Sequence, residues 1–165
     1  MKKKIYFVQL NNNYSGSPNV LANEIESVDR RLFDISLVTS FSSDGFLTEL
    51  RNIDRIHVFY KFYKNKIIRF FFFFFFQLVS TYKVLVNSRK GDIVYLNTFH
   101  PFLPGIFCKL TNRKVIYHIH EYFPNPNLFQ LFLFKVVEVT SSNIICVSKC
   151  VSEQFVNVSF KVNIV

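Results

Sequence analysis

"KIYFVQLNNNYSGSPNVL" (residues 4–21) is a run of apolar residues, a polar loop of small side chains, and then a proline followed by apolar positions at helical spacing. The run "KIYFVQL" (4–10) barely alternates between apolar and polar, so both of its faces need cover. That is the signature of a strand inside a parallel sheet. Pro18 suits a first helical turn, where its missing N–H costs nothing. Leu21, Ile25 and Val28 then fall on one helical face. This one stretch therefore reads as a strand, a loop at the strand's carboxyl end, and a helix.

The same pattern recurs along the chain. "FDISLVTS" (33–40), "RIHVFY" (55–60), "DIVYLNT" (92–98), "KVIYHIHE" (114–121), "NIICVS" (143–148) and "FKVNIV" (160–165) read as further strands. Helices are predicted over 18–31, 43–51, 64–88, 101–111, 126–140 and 149–157. Strands alternating with helices imply βαβ units, and right-handed crossovers wind them into a sheet covered on both sides. The predicted fold is α/β: a Rossmann-like, doubly wound, mainly parallel sheet of about seven strands with helices on both faces. No internal repeat or linker interrupts it, so residues 1–165 are expected to form a single domain. The last apolar run reaches Val165, which suggests one half of a larger unit.

The bulk composition agrees. The chain has 165 residues, half of them hydrophobic, enough for a real core. Twenty Lys and Arg face eleven acidic residues, giving a net charge of +9, which favours polyanionic contacts without choosing among them. No nucleic-acid-binding motif accompanies the charge, so nucleic acid is not an expected partner. Cys108, Cys146 and Cys150 are odd in number and lack a second pair to complete a zinc site. All three are expected to be packing residues in a reducing, cytosolic setting. The apolar run after Lys2, Lys3 and Lys4 is too short for a secretory signal.

Residues 70–76 are uninterrupted phenylalanine. The run is short of the ~20 residues a spanning helix needs, and short apolar runs are ordinarily core. A core helix with solvated lysines is the first reading. Seven rings cannot all share one stripe, however, so some must meet a second surface: the rest of the domain, a partner domain or lipid headgroups. Lys61, Lys64, Lys66 and Arg69 beside the run describe an interfacial contact with an anionic membrane.

Candidate chemistry gathers at the carboxyl ends of the strands, where open parallel sheets bind ligands. His118 and His120 share one strand face, with Glu121 opposite. His118 lies deeper and reads as structural; His120 reads as functional. His100 ends the preceding strand and is expected to point into the same crevice if the two strands are neighbours. H-x-H with no further ligand at diagnostic spacing does not make a metal site, so none is assigned. The loop Ser15-Gly16-Ser17 lies at the same edge and precedes a helix, a setting for anionic or hydroxylated ligands. Alternatively it is a simple polar turn in which Gly16 supplies a positive φ. Neither G-x-G-x-x-G nor a P-loop is present, which argues against nicotinamide enzymes and P-loop NTPases.

The order "YSGSPNVL", "GDIVYLNTFHP", "KVIYHIHE", "NIICVSK" and "KVNIV" resembles the N-terminal domain of family 4 glycosyltransferases, along essentially the whole chain. The resemblance implies the GT-B fold, in which two Rossmann-like domains face a cleft. The N-terminal one binds mainly the acceptor and the C-terminal one the nucleotide-sugar donor. It implies that His120 lies in the cleft as the catalytic histidine. Ser15, Gly16 and Ser17 would lie near the donor phosphates or the transferred sugar. Ser148 matches the serine of the "VS" motif, and His100 and Glu121 complete the expected substrate-binding set. Many relatives carry two adjacent glycines in the first loop; here Gly16 stands alone between serines. No cofactor is implied; the nucleotide sugar is a substrate, held mainly by a donor-binding domain or subunit absent from these 165 residues.

The expected activity is retaining transfer of a sugar to a glycan or lipid-linked acceptor in cell-surface polysaccharide synthesis, with no activity for this half alone. The expected location is cytoplasmic and peripheral on the inner face of the plasma membrane. The alternative is a non-catalytic remnant, or a module that binds membrane or protein through its basic, Phe-rich face.

Overall fold

The computed structural model describes residues 2–41 and 44–165. Its elements are β1 (Lys3–Gln9), α1 (Gly16–Ser27), β2 (Phe33–Ser40), β3 (Asp54–Val58), α2 (Lys66–Asn87), β4 (Ile93–Asn97), α3 (Phe102–Leu110), β5 (Lys114–Ile119), α4 (Leu128–Thr140), β6 (Asn143–Cys146), α5 (Lys149–Ser152) and β7 (Val162–Ile164). The helix expected over 43–51 starts at Ser43, outside the described residues; within it the structure has a short 3-10 turn, Phe46–Thr48. A second 3-10 segment, Glu153–Lys161, continues α5 and takes the place of most of the predicted final helix.

The strands form one sheet of seven, in the order β3-β2-β1-β4-β5-β6-β7. Every pairing is parallel. The chain winds outward from β1 to β3, returns through α2 to the other side of β1, and winds outward again to β7. The reversal falls between β1 and β4, and in such sheets the crevice at the reversal is where ligands bind.

Period-2 alternation sorts the core into two layers. Tyr6, Val8, Val94, Leu96, Tyr117 and Ile119 face α2, α3 and α4. Ile5, Phe7, Ile35 and Leu37 face α1 and the 3-10 turn. Helices cover both faces, but unequally. Local chemistry sets the helix starts: the Asn65 side chain accepts from the N–H groups of Ile67 and Ile68 at the head of α2, and Asn127 with Gln130 forms a reciprocal capping box on α4. Gly105 lets α3 approach β5, because a Cβ there would stand 2.0 Å from the Tyr117 hydroxyl.

Three expectations are corrected. Of the seven phenylalanines only Phe76 is fully buried; Phe72 and Phe73 are half-buried, and Phe70, Phe71, Phe74 and Phe75 are exposed. The core reading of the run thus holds for one edge of α2 alone, because a helix resting on a sheet buries only one stripe. Cys108 and Cys146 pack in the core, but Cys150 is exposed on α5. Gly16 does not supply a positive φ: it opens α1, and the glycines with positive φ are Gly45 and Gly91.

Candidate functional site

Asn97, the last residue of β4, organises the carboxyl edge. Its Nδ2 donates to Gln9 Oε1 at 2.8 Å, to Ser17 Oγ at 2.7 Å and to the Ser17 carbonyl at 3.3 Å. A carbonyl can only accept, so the amide orientation is set, and Asn97 Oδ1 faces His120 Nε2 at 2.9 Å. His120 therefore carries its proton on Nε2 and keeps a lone pair on Nδ1. Burial, and the neighbouring His118, push the His120 pKa down to about 4. The imidazole is neutral at physiological pH and accepts rather than donates at Nδ1.

Beneath it lies a second, buried layer. His118 is 1% exposed, and its ring centroid is 4.2 Å from that of His120. Its Nδ1 meets Glu24 Oε1 at 2.9 Å and the Tyr95 hydroxyl at 3.0 Å. Tyr95 in turn donates to the Glu24 carboxylate, at 2.8 Å to Oε2. Burial, then the Glu24 charge, raise the Tyr95 pKa, so it stays a donor. The structural role expected for His118 fits this anchoring.

His100 does not join that cluster. His100 and His120 follow neighbouring strands, β4 and β5, and engage separate hydrogen-bond partners; the His100 ring packs against Phe73 of α2. His100 Nδ1 lies 3.0 Å from Thr98 Oγ1 and 3.7 Å from Glu121 Oε1. Burial raises the Glu121 pKa from its ordinary value. Thr98 itself holds a φ of 76°, an uncommon conformation for a β-branched residue, and its N–H is retained by the His118 carbonyl at 2.8 Å. His100 lines a cavity of about 440 Å³ together with Asn11, Tyr60, Lys66, Arg69 and Phe73.

The other predicted residues fall as follows. Ser17 is tied to Asn97 and through it to His120. Ser15 precedes α1 and donates to Asn13 Oδ1 at 2.6 Å. Gly16 is exposed beside it, with nothing within 4 Å of where a Cβ would stand. Ser148 caps α5, its Oγ accepting from Val151 N at 3.3 Å. Sequence reasoning missed Asn97, Gln9, Glu24 and Tyr95. The readable signal was an asparagine closing the otherwise apolar run "IVYLN".

No protein-family model matches the sequence, and no curated protein matches it. Solved structures do. The chain is similar to a Candida albicans trehalose-6-phosphate phosphatase N-terminal domain (10% identity, TM-score 0.69, covering 95% of this chain and 42% of that one). It is similar to a glycosyltransferase from Rickettsia africae (16%, TM-score 0.63, 99% and 42%). It is also similar to a putative UDP-N-acetylglucosamine 2-epimerase from Listeria monocytogenes (11%, TM-score 0.62, 98% and 44%). The chain thus spans less than half the length of these proteins. At such identities the likeness concerns the fold alone: the chain has a Rossmann-like α/β fold.

Proposed function

We propose that this chain is the acceptor-side lobe of a family 4-type retaining glycosyltransferase, which moves a sugar from a nucleotide-sugar donor to a glycan or lipid-linked acceptor. The observation that carries the reading is the Asn97 bridge, which holds Ser17 of the first βα unit and His120 at the end of β5 together at the reversal of the sheet. Sugar transfer from a nucleotide diphosphate builds positive charge on the sugar and negative charge on the departing phosphate. Preoriented dipoles in a water-poor cleft stabilise that separation. Neutral His120, with its Nδ1 lone pair, suits a hydroxyl of the sugar or acceptor. The cavity beside His100, with aromatic walls and Lys66 and Arg69 at its rim, suits the acceptor. A second lobe binds the donor, so turnover requires both.

The test is transfer of labelled sugar from nucleotide-sugar donors by the two-lobe protein, with His120→Ala alongside. Loss of about 100-fold or more in kcat is expected, the scale of one catalytic contact. Wild-type turnover by the variant removes His120 from the site. Absence of transfer by the intact two-lobe protein with every donor and acceptor class favours a non-catalytic module instead.

A further inference from the structure

We infer that the α1 flank of the sheet carries a second binding site, which takes a small primary ammonium compound with a short apolar stem. The site is a cavity of about 440 Å³. Asn23, Glu24 and Ser27 of α1 line it, with His118 of β5 and with Val147 and Val165 just beyond β6 and β7. Neither Ser17, Asn97 nor His120 lines it, so it opens apart from the carboxyl-edge site. It does not depend on sugar transfer.

A buried nitrogen points to the ligand. His118 is 1% exposed. Its Nδ1 lies 2.9 Å from Glu24 Oε1 and 3.0 Å from the Tyr95 hydroxyl. Tyr95 directs its single proton at the Glu24 carboxylate. Both neighbours of Nδ1 are therefore acceptors, and Nδ1 carries the proton. In that tautomer Nε2, on the other side of the ring, is a lone pair. It is buried and has no hydrogen-bond partner among the described residues. Buried polar atoms are ordinarily paired, so this one calls for a donor. With Nδ1 turned to Glu24 and Tyr95, Nε2 is the polar atom that His118 has left to offer the cavity.

Charge selects the class of donor. The chain as a whole carries +9, yet from Ile5 to Asp29 it has three carboxylates, Glu24, Glu26 and Asp29, and no Lys, Arg or His. No Lys or Arg lines the cavity. A phosphate or carboxylate ligand would meet Glu24 with no counter-charge, which excludes anions. What the lining offers is acceptors: the Nε2 lone pair, the Glu24 carboxylate and the side-chain oxygens of Asn23 and Ser27. Ser27 Oγ donates its own proton to the Glu24 carbonyl at 2.8 Å, which leaves its lone pairs to accept. A primary ammonium matches this set with three N–H donors and a charge for Glu24. A hydroxyl brings one donor and no charge. Val147 and Val165 give a short alkyl stem an apolar wall.

The test is an NMR titration of the full chain, carrying isotope-labelled histidine, with n-butylamine at neutral pH, where the probe is butylammonium. The His118 Nε2 resonance should move saturably, while butyrate leaves it in place. Glu24→Gln should weaken butylammonium about tenfold or more, the scale of one charge-assisted hydrogen bond. Ser27→Phe, at an exposed position on the rim, leaves the buried cluster alone. Its ring should block the cavity and abolish the saturable shift, with the far-UV circular dichroism and the ligand-free His118 resonance as in wild type. The inference is overturned if butylammonium leaves Nε2 unmoved, if butyrate or n-butanol moves it equally, or if both variants bind like wild type. It is equally overturned if Nε2 carries a proton in the ligand-free chain.

Discussion

At the residue scale, burial and the neighbouring His118 govern the titration of His120. His120 is held down to about 4 against an ordinary 6.5. Between those values the unfolded chain binds a proton that the folded chain refuses. The stability that neutral His120 contributes is therefore full above about 6.5 and is lost as pH falls towards about 4. His120→Gln should flatten that part of the melting-temperature profile relative to wild type. Asn97→Asp should move the His120 titration upward, because a carboxylate at hydrogen-bond distance favours imidazolium. Side-chain NMR reads this directly, and an unmoved titration would mean that the two side chains do not meet. Thiol chemistry gives a separate check. Burial pushes Cys108 up to about 12 and Cys146 up to about 11, whereas Cys150 is exposed. A thiol reagent on the native chain should label Cys150 and reach the other two only on unfolding, since the thiolate is the reactive form.

At the element scale the two helix glycines separate packing from conformation. In Gly105→Ala the new methyl meets the Tyr117 hydroxyl at 2.0 Å and Leu96 Cδ1 at 3.0 Å. Tyr117 is fully buried and has no room to yield. A loss of about 1–3 kcal/mol is expected, the ordinary cost of overpacking, seen as a melting point lower by several degrees. Gly16→Ala meets open space at the start of α1 and should be neutral or gain up to about 1 kcal/mol from helix propensity. A large loss there would place Gly16 in a tighter turn than the helix start described above. The strand runs were legible because parallel strands covered on both faces are written as unbroken apolar residues. The 149–157 helix was misjudged because its periodicity does not distinguish an α-helix from a kinked 3-10 segment, and Phe155 and Val158 depart from helical φ/ψ.

At the scale of the whole molecule, the sheet order places β1, β4 and β5 side by side, and function is argued from what their carboxyl ends hold in common. The first βα loop and His120 were separately legible from their places after strands. Their meeting through Asn97 was not, since one asparagine in a strand carries no spacing signature. His100 was legible from its place after β4, but its contacts with Thr98, Phe73 and Glu121 were not. The unequal cover of the sheet, with three helices presenting apolar outer faces, is likewise visible only once the crossovers are assembled.

The sequence by itself determined the α/β class, the parallel sheet and the strand ends at which the candidate residues lie, because apolar periodicity and loop placement are local properties of the chain. The tertiary structure alone decided which polar side chains share a hydrogen bond, which phenylalanines face water and which cysteine is accessible. Those depend on the rotation of each helix about its axis and on the neighbours each strand acquires, both set by packing between residues far apart in the chain.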